Sequence, residues 1–144
     1  MDPFSVLLVD DEEAFLETVV KRLNLRKVKA FGARNGPEAL EFLTHNTVDI
    51  LILDVKMPGM NGIEVLRIVK DLYPLMEVIM LTGHANMEVA IAGMEAGAFD
   101  YLMKPVNIDE LLYKLQDAYK RKSIRTEKIR KMKEAASSAR PPEA

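Results

Sequence analysis

"ILILDVKMPGMNG", residues 50–62, decides how the chain folds. Four apolar residues run without alternation, stop at one acid, Asp54, and give way to a loop rich in Pro and Gly. A short non-alternating run reads as a strand buried on both faces, the mark of a parallel sheet covered by helices. Working outward, "FSVLLV" (4–9) stops at Asp10, "EVIML" (77–81) at Thr82 and "FDYLM" (99–103) at Lys104. "VKAFGA" (28–33) holds a weaker strand candidate at Val28–Phe31.

Helical patterns fill the gaps. Ala14, Leu16, Val19, Val20 and Leu23 recur at helical spacing. Asn35 ahead of Pro37 and Glu38, Asn61 with Glu64, Asn86, and Asn107 with Glu110 read as helix starts. The strand–helix alternation runs five times, which predicts an α/β fold with helices on both faces of the sheet. In open α/β sheets the ligand site lies outside the carboxyl ends of the strands, at a topological switch point. Asp10, Asp11, Asp54, Thr82 and Lys104 are therefore expected to meet at one edge, although far apart in sequence.

A chain of 144 residues suits one domain. The absence of cysteine excludes disulfides, zinc–thiolate sites and a thiol nucleophile. A formal charge of −2 gives no overall bias toward nucleic acid or membrane. The opening "MDPFSVLLVDD" has no basic region and too short an apolar run for a signal peptide or a membrane span. A soluble cytoplasmic protein is the expectation.

Three clustered carboxylates repel one another, and burial raises their pKa values. A hard divalent cation relieves this, and Mg²⁺ takes oxygen ligands while keeping waters and a phosphate oxygen. Lys104 and Thr82 suit the other oxygens of a phosphoryl group, one by charge and one by hydrogen bonding. A carboxylate beside Mg²⁺ can also act as a nucleophile and form an aspartyl phosphate. Asp54, alone at the end of the central strand, is the better acceptor; Asp10 and Asp11 are the better metal ligands. The loop after Asp54 would turn the backbone so that a carbonyl joins the metal.

The segments "VLLVDDEEAF", "ILILDVKMPGMNGIEVL", "VIMLTGHA" and "AGAFDYLMKPV" together resemble the receiver domain of bacterial two-component response regulators, over about residues 4 to 120. The resemblance implies a flavodoxin-like, doubly wound, five-stranded parallel sheet of order 2-1-3-4-5 with five helices. It implies Asp54 as phosphoacceptor, with Asp10, Asp11, Asp54 and the backbone carbonyl of Lys56 around Mg²⁺. Thr82 and Lys104 contact the phosphoryl oxygens, Tyr101 is the switch aromatic, and Lys104–Pro105 is a cis peptide. The implied function is a phosphorylation switch whose phosphoryl group comes from a sensor histidine kinase or phosphotransfer protein. The face of the fourth helix, fifth strand and fifth helix would then change, to control a downstream protein or fused effector domain. The implied activity is self-phosphorylation from a donor with slow hydrolysis, not that of a conventional enzyme.

Plainer roles stand beside these. Asp10-Asp11 is an ordinary helix start, Asp54 an ordinary turn former, and Thr82-Gly83 a simple turn in which glycine would avoid crowding a phosphoryl group. Tyr101 taken alone reads as a packing residue, and the methionines as core filler. His84 is either a solvated loop histidine or a neighbour of the phosphoryl group; His45 reads as an exposed helix end. An alternative function is a metal-dependent phosphohydrolase of the haloacid dehalogenase class, but Lys56 stands where such enzymes place a second acid. A docking receiver that is never phosphorylated is the other alternative, although none of the expected acids or the lysine is missing.

The sequence divides into a receiver at 1–121 and a basic segment at 122–144, helical and then disordered. Residues 120–133 carry eight Lys or Arg and one Glu. The stripe Leu112, Leu115, Tyr119 meets Lys122, Ser123 and Thr126 where apolar residues would continue it. Core packing is therefore expected to stop near Tyr119. Ile124, Ile129 and Met132 leave a phosphorylation-dependent homodimer open. No membrane contact is expected, nor direct nucleic-acid binding, since there is no helix-turn-helix pattern.

Overall fold

The computed structural model describes residues 3–57, 61–83 and 87–138. Strands β1 (Ser5–Val9), β2 (Lys29–Ala33), β3 (Ile50–Asp54), β4 (Glu77–Thr82) and β5 (Asp100–Met103) alternate with helices α1 (Glu13–Leu25), α2 (Gly36–His45), α3 (Gly62–Leu72), α4 (Met87–Glu95) and α5 (Ile108–Ser138). The sheet is parallel, in the order β2-β1-β3-β4-β5. The expected topology is therefore the observed one. The second strand runs two residues further than its sequence pattern, because Gly32 and Ala33 pair with Leu8 and Val9 on an edge where no alternation marks the end.

The unbroken apolar runs have a simple cause. Leu7, Val9, Leu51, Leu53, Val78 and Met80 face one core with Ala39, Leu43, Val65, Leu66 and Val69 of α2 and α3. Val6, Leu8, Ile50, Ile52, Ile79, Leu81 and Leu102 face the other, with Leu16, Val19 and Leu23 of α1 and Leu111, Leu115 and Ala118 of α5. Both faces of each central strand are covered, so neither set can be polar. Of the α1 residues read as its apolar stripe, Ala14 is exposed and Val20 half-buried.

Asparagine opens three helices as expected. Asn35 accepts the Glu38 N–H at 2.8 Å, Asn61 that of Glu64 at 3.0 Å and Asn107 that of Glu110 at 3.1 Å. Asn61 also donates to the Glu64 carboxylate at 3.0 Å, closing the cap from both sides. Asn86 lies outside the described residues.

The methionines divide. Met57, Met76 and Met80 fill the core, whereas Met87, Met94 and Met103 are exposed beside Ile91 and Tyr101 on α4 and β5, and Met132 is exposed on α5. Reading them as core filler fails there because α4 turns Val89, Ala90 and Gly93 inward, and β5 is an edge strand on which Tyr101 and Met103 are exposed.

Helix α5 runs unbroken from Ile108 through Ser138. Its last buried side chain is Ala118, and Tyr119 stacks on Phe4 with ring centroids 5.0 Å apart. Apolar packing ends there. Polar packing continues, through Arg121, Lys122 and Arg125.

Candidate functional site

Parallel pairing with Val9 opposite Leu53 and Asp54 opposite Leu81 aligns the ends of β1, β3 and β4. The acids that follow β1 and end β3 thus meet at one edge without being neighbours in sequence. Asp10, Asp11 and Asp54 each offer a carboxylate oxygen such that all three atoms lie within 4.8 Å of one another. Asp10 and Asp54 are buried and Asp11 is exposed.

Each buried acid is half-satisfied by its own turn. Asp10 Oδ1 accepts the Glu12 N–H at 2.8 Å, and Asp54 Oδ1 accepts the Lys56 N–H at 3.1 Å. Both are local turns two residues long, and each uses one oxygen of its acid; helix α1 itself starts later, at Glu13, with no side-chain cap. Asp10 Oδ2 is buried and pairs with the Lys104 ammonium at 2.8 Å, which also lies 3.7 Å from Asp54 Oδ2.

Lys104 is placed by β4. Its N–H donates to the carbonyl of buried Thr82 at 2.8 Å, and the Lys104–Pro105 peptide is cis. The Lys104 ammonium also lies 3.3 Å from Glu12 Oε1 and 4.5 Å from the centre of the Phe15 ring. Glu12 and Phe15 were not singled out in the sequence. Their signal is the first turn after Asp10-Asp11, which carries them back across the site.

Burial pushes the Asp54 carboxyl up to about 6. The Lys56 N–H and the Lys104 ammonium oppose this, while Asp10 and Asp11 add to it. Burial works against the Lys104 charge too, but Asp10, Asp54 and Glu12 outweigh it and hold that pKa above the ordinary lysine value. One ammonium against three acids leaves the edge negative. The donors are all hard oxygens, and three carboxylates share one ammonium, a set that fits a divalent cation such as Mg²⁺.

Gly62 packs against the backbone of Asp54 and Val55. A Cβ there would stand 2.6 Å from Val55 Cα and 2.7 Å from the Asp54 carbonyl oxygen. A Cβ at Gly83 would meet no described atom within 4 Å, so crowding within the protein does not call for glycine there. Tyr101 is 37% exposed on β5 and belongs to neither core, contrary to its reading as a packing residue. His45 is exposed at the end of α2, with Nε2 3.2 Å from Glu41 Oε1. His84 lies outside the described residues, as do Pro58–Met60 of the loop after Asp54.

Residues 6–116 match the response regulator receiver domain family. The chain belongs to that family, the receivers of two-component signalling. Over 105 residues the receiver is 37% identical to the DNA-binding transcriptional regulator NtrC of Escherichia coli, covering 73% of this chain and 22% of that protein. Over 131 residues it is 35% identical to an NtrX-like response regulator of Rickettsia felis, covering 90% of this chain and 28% of that one. It thus spans about a quarter of the length of these relatives. A crystal structure of a response regulator receiver domain protein from Clostridium thermocellum superposes with a TM-score of 0.80 at 36% identity, covering 84% of this chain and 98% of that one. Receiver domains generally bind Mg²⁺ at a cluster of acidic residues, and Asp10, Asp11 and Asp54 form such a cluster here. Among the described residues, no helix is long and apolar enough to cross a membrane.

Proposed function

We propose that Asp54 accepts a phosphoryl group from a sensor histidine kinase or phosphotransfer protein in the cytoplasm. The observation that carries this is the convergence of Asp10, Asp11 and Asp54 within 4.8 Å, with Lys104 beside the two buried acids. A carboxylate oxygen of Asp54 attacks phosphorus, and the donor's leaving atom keeps the bonding electrons. Lys104 offsets charge on the phosphoryl oxygens, and the Thr82 hydroxyl donates a hydrogen bond to one of them. Asp10, Asp11, Asp54 and the backbone carbonyl of Lys56 would hold Mg²⁺, which supplies charge neutralisation at the phosphoryl group. A groove of ≈ 620 Å³ bordered by Glu12, Phe15, Arg22, Lys104, Pro105 and Ile108 gives a donor protein access beside the site.

The consequence of phosphorylation falls on the exposed apolar face of α4 and β5, where Met87, Ile91, Met94, Tyr101 and Met103 lie. Movement of Thr82 toward the phosphoryl group draws Tyr101 inward and changes that face between two populations. The output is a downstream protein, a fused effector domain, or a homodimer formed on phosphorylation, with residues 1–121 as the receiver and 122–144 as the basic link.

Acetyl phosphate with Mg²⁺ tests the assignment. Mass spectrometry is expected to show one phosphoryl addition, absent in Asp54→Asn and in EDTA. Labelling that persists in Asp54→Asn would overturn it.

A further inference from the structure

Residues 120–133 crowd like charges onto one helix. Arg121 and Arg125 are like charges one turn apart, and such pairs destabilise an isolated helix. Yet α5 continues without a break through Ser138. The explanation lies at the amino-terminal end of the sheet, opposite the phosphoryl site.

Glu77 opens β4 with its side chain 1% exposed. Arg121 Nε lies 3.0 Å from one of its oxygens, and Arg125 Nη1 and Lys70 Nζ lie 3.1 Å and 3.7 Å from the other. Arg125 Nη2 also donates to the Pro74 carbonyl at 3.2 Å. Beside this, Lys122 pairs with Asp49, whose other oxygen accepts the Ser5 N–H at 2.9 Å. Both carboxylates are thus anchored in the sheet or its edge, and both reach cations of α5 beyond its last buried apolar residue.

The spacing fits a single face. Leu111, Leu115 and Ala118 are buried, and the next positions at steps of four and three are Lys122 and Arg125. The docking stripe does not end at Ala118; it changes from apolar to charged where the sheet offers carboxylates. The dependence is mutual. A buried Glu77 needs counter-charges, and Arg121 with Arg125 needs a shared anion to sit one turn apart.

We propose that Glu77 and Asp49 form an exit clamp, which sets the helicity of residues 122–138 and the direction in which they leave the sheet. Arg121, Lys122 and Arg125 are positioning residues in it. The clamp does not touch the acids at the opposite edge, so it stands or falls apart from the phosphorylation assignment.

The rival account is that the extension holds itself through Arg130 with Glu127 and Glu134, exposed pairs within the helix. Hydrogen exchange of the full chain separates the two. In Lys122→Gln/Arg125→Gln, amides of residues 122–138 are expected to exchange about tenfold faster or more. Those of β1 and β3 should keep their protection, and acetyl phosphate labelling should be unchanged. Returning lysine at position 125 should restore part of the protection, because it returns the charge without the fork. Unchanged exchange in the double variant, equal acceleration across the whole chain, or a larger effect from Arg130→Gln would each overturn the clamp.

Discussion

The two ends of the sheet use the same chemistry to opposite effect. At the carboxyl end, Asp10, Asp11 and Asp54 face one ammonium, Lys104, so negative charge is in surplus. At the amino end, Glu77 and Asp49 face Lys70, Arg121, Lys122 and Arg125, so positive charge is in surplus. The titrations mirror this. Burial and then neighbouring acids push Asp54 up, to about 6. Burial pulls Lys70 down; Glu77 offsets it in part, and Arg125 and Arg121 add to the depression. A surplus of buried negative charge invites a cation from solution, which suits a site. A carboxylate ringed by the chain's own cations has its counter-charges within the fold, which suits a joint.

The comparison breaks most sharply on one kind of substitution, a buried carboxylate replaced by its amide. Glu77→Gln leaves Lys70, Arg121 and Arg125 without their anion, and is expected to lower stability by about 3 kcal/mol in urea unfolding. A neutral outcome would mean that the base is not held by charge.

Asp54→Asn is expected to act in the other direction. Its folded pKa lies above the ordinary carboxyl value of 3.8, so between pH 4 and pH 6 the folded state binds more protons than the unfolded one. Stability contributed by this group therefore falls as pH rises through that window. In EDTA at neutral pH the amide should gain about 2–3 kcal/mol, and the gain should vanish below the lower pKa. Saturating Mg²⁺ should shrink or reverse it, because the cation favours the carboxylate. A gain that is the same at every pH would place its origin outside the titration of Asp54.

Asp11→Ala removes an exposed member of the acid cluster. Mg²⁺ affinity measured by titration should drop about tenfold or more while the fold persists. Unchanged affinity would put the cation elsewhere. As the smallest effect, Arg26→Gln removes an exposed pair with Asp109 and should change stability by less than about 1 kcal/mol. A larger loss would show that exposed pairs matter here as much as buried ones, and would blur the contrast between the two ends.

Much of the carboxyl end was legible in the sequence because each residue there carries its own local mark. Asp10, Asp54, Thr82 and Lys104 each stand where an apolar run stops, and a parallel sheet brings such stops together. The amino end carried no such mark. Glu77 and Asp49 each open an apolar run, "EVIML" and "DILIL", and nothing local says what a charge at the start of a strand would meet. Lys122 in the α5 stripe looked like the end of packing, because a hydrophobic stripe is blind to a carboxylate waiting on the other side. Glu12 and Phe15 were passed over for the same reason: their importance lies in reaching Lys104, which follows about ninety residues later in the chain.

By itself the sequence determined the parallel sheet, its strand order through family resemblance, and the acids that meet at the carboxyl edge. These follow from local patterns, strand-long apolar runs and the residues that end them. Only the tertiary structure decided that Asp10 is buried against the Lys104 ammonium, that Tyr101 is exposed, and that the basic stretch of α5 is tied to the sheet. Each of these depends on which charges and surfaces meet across the fold, and an ion pair between residues 77 and 125 has no local signal in either segment.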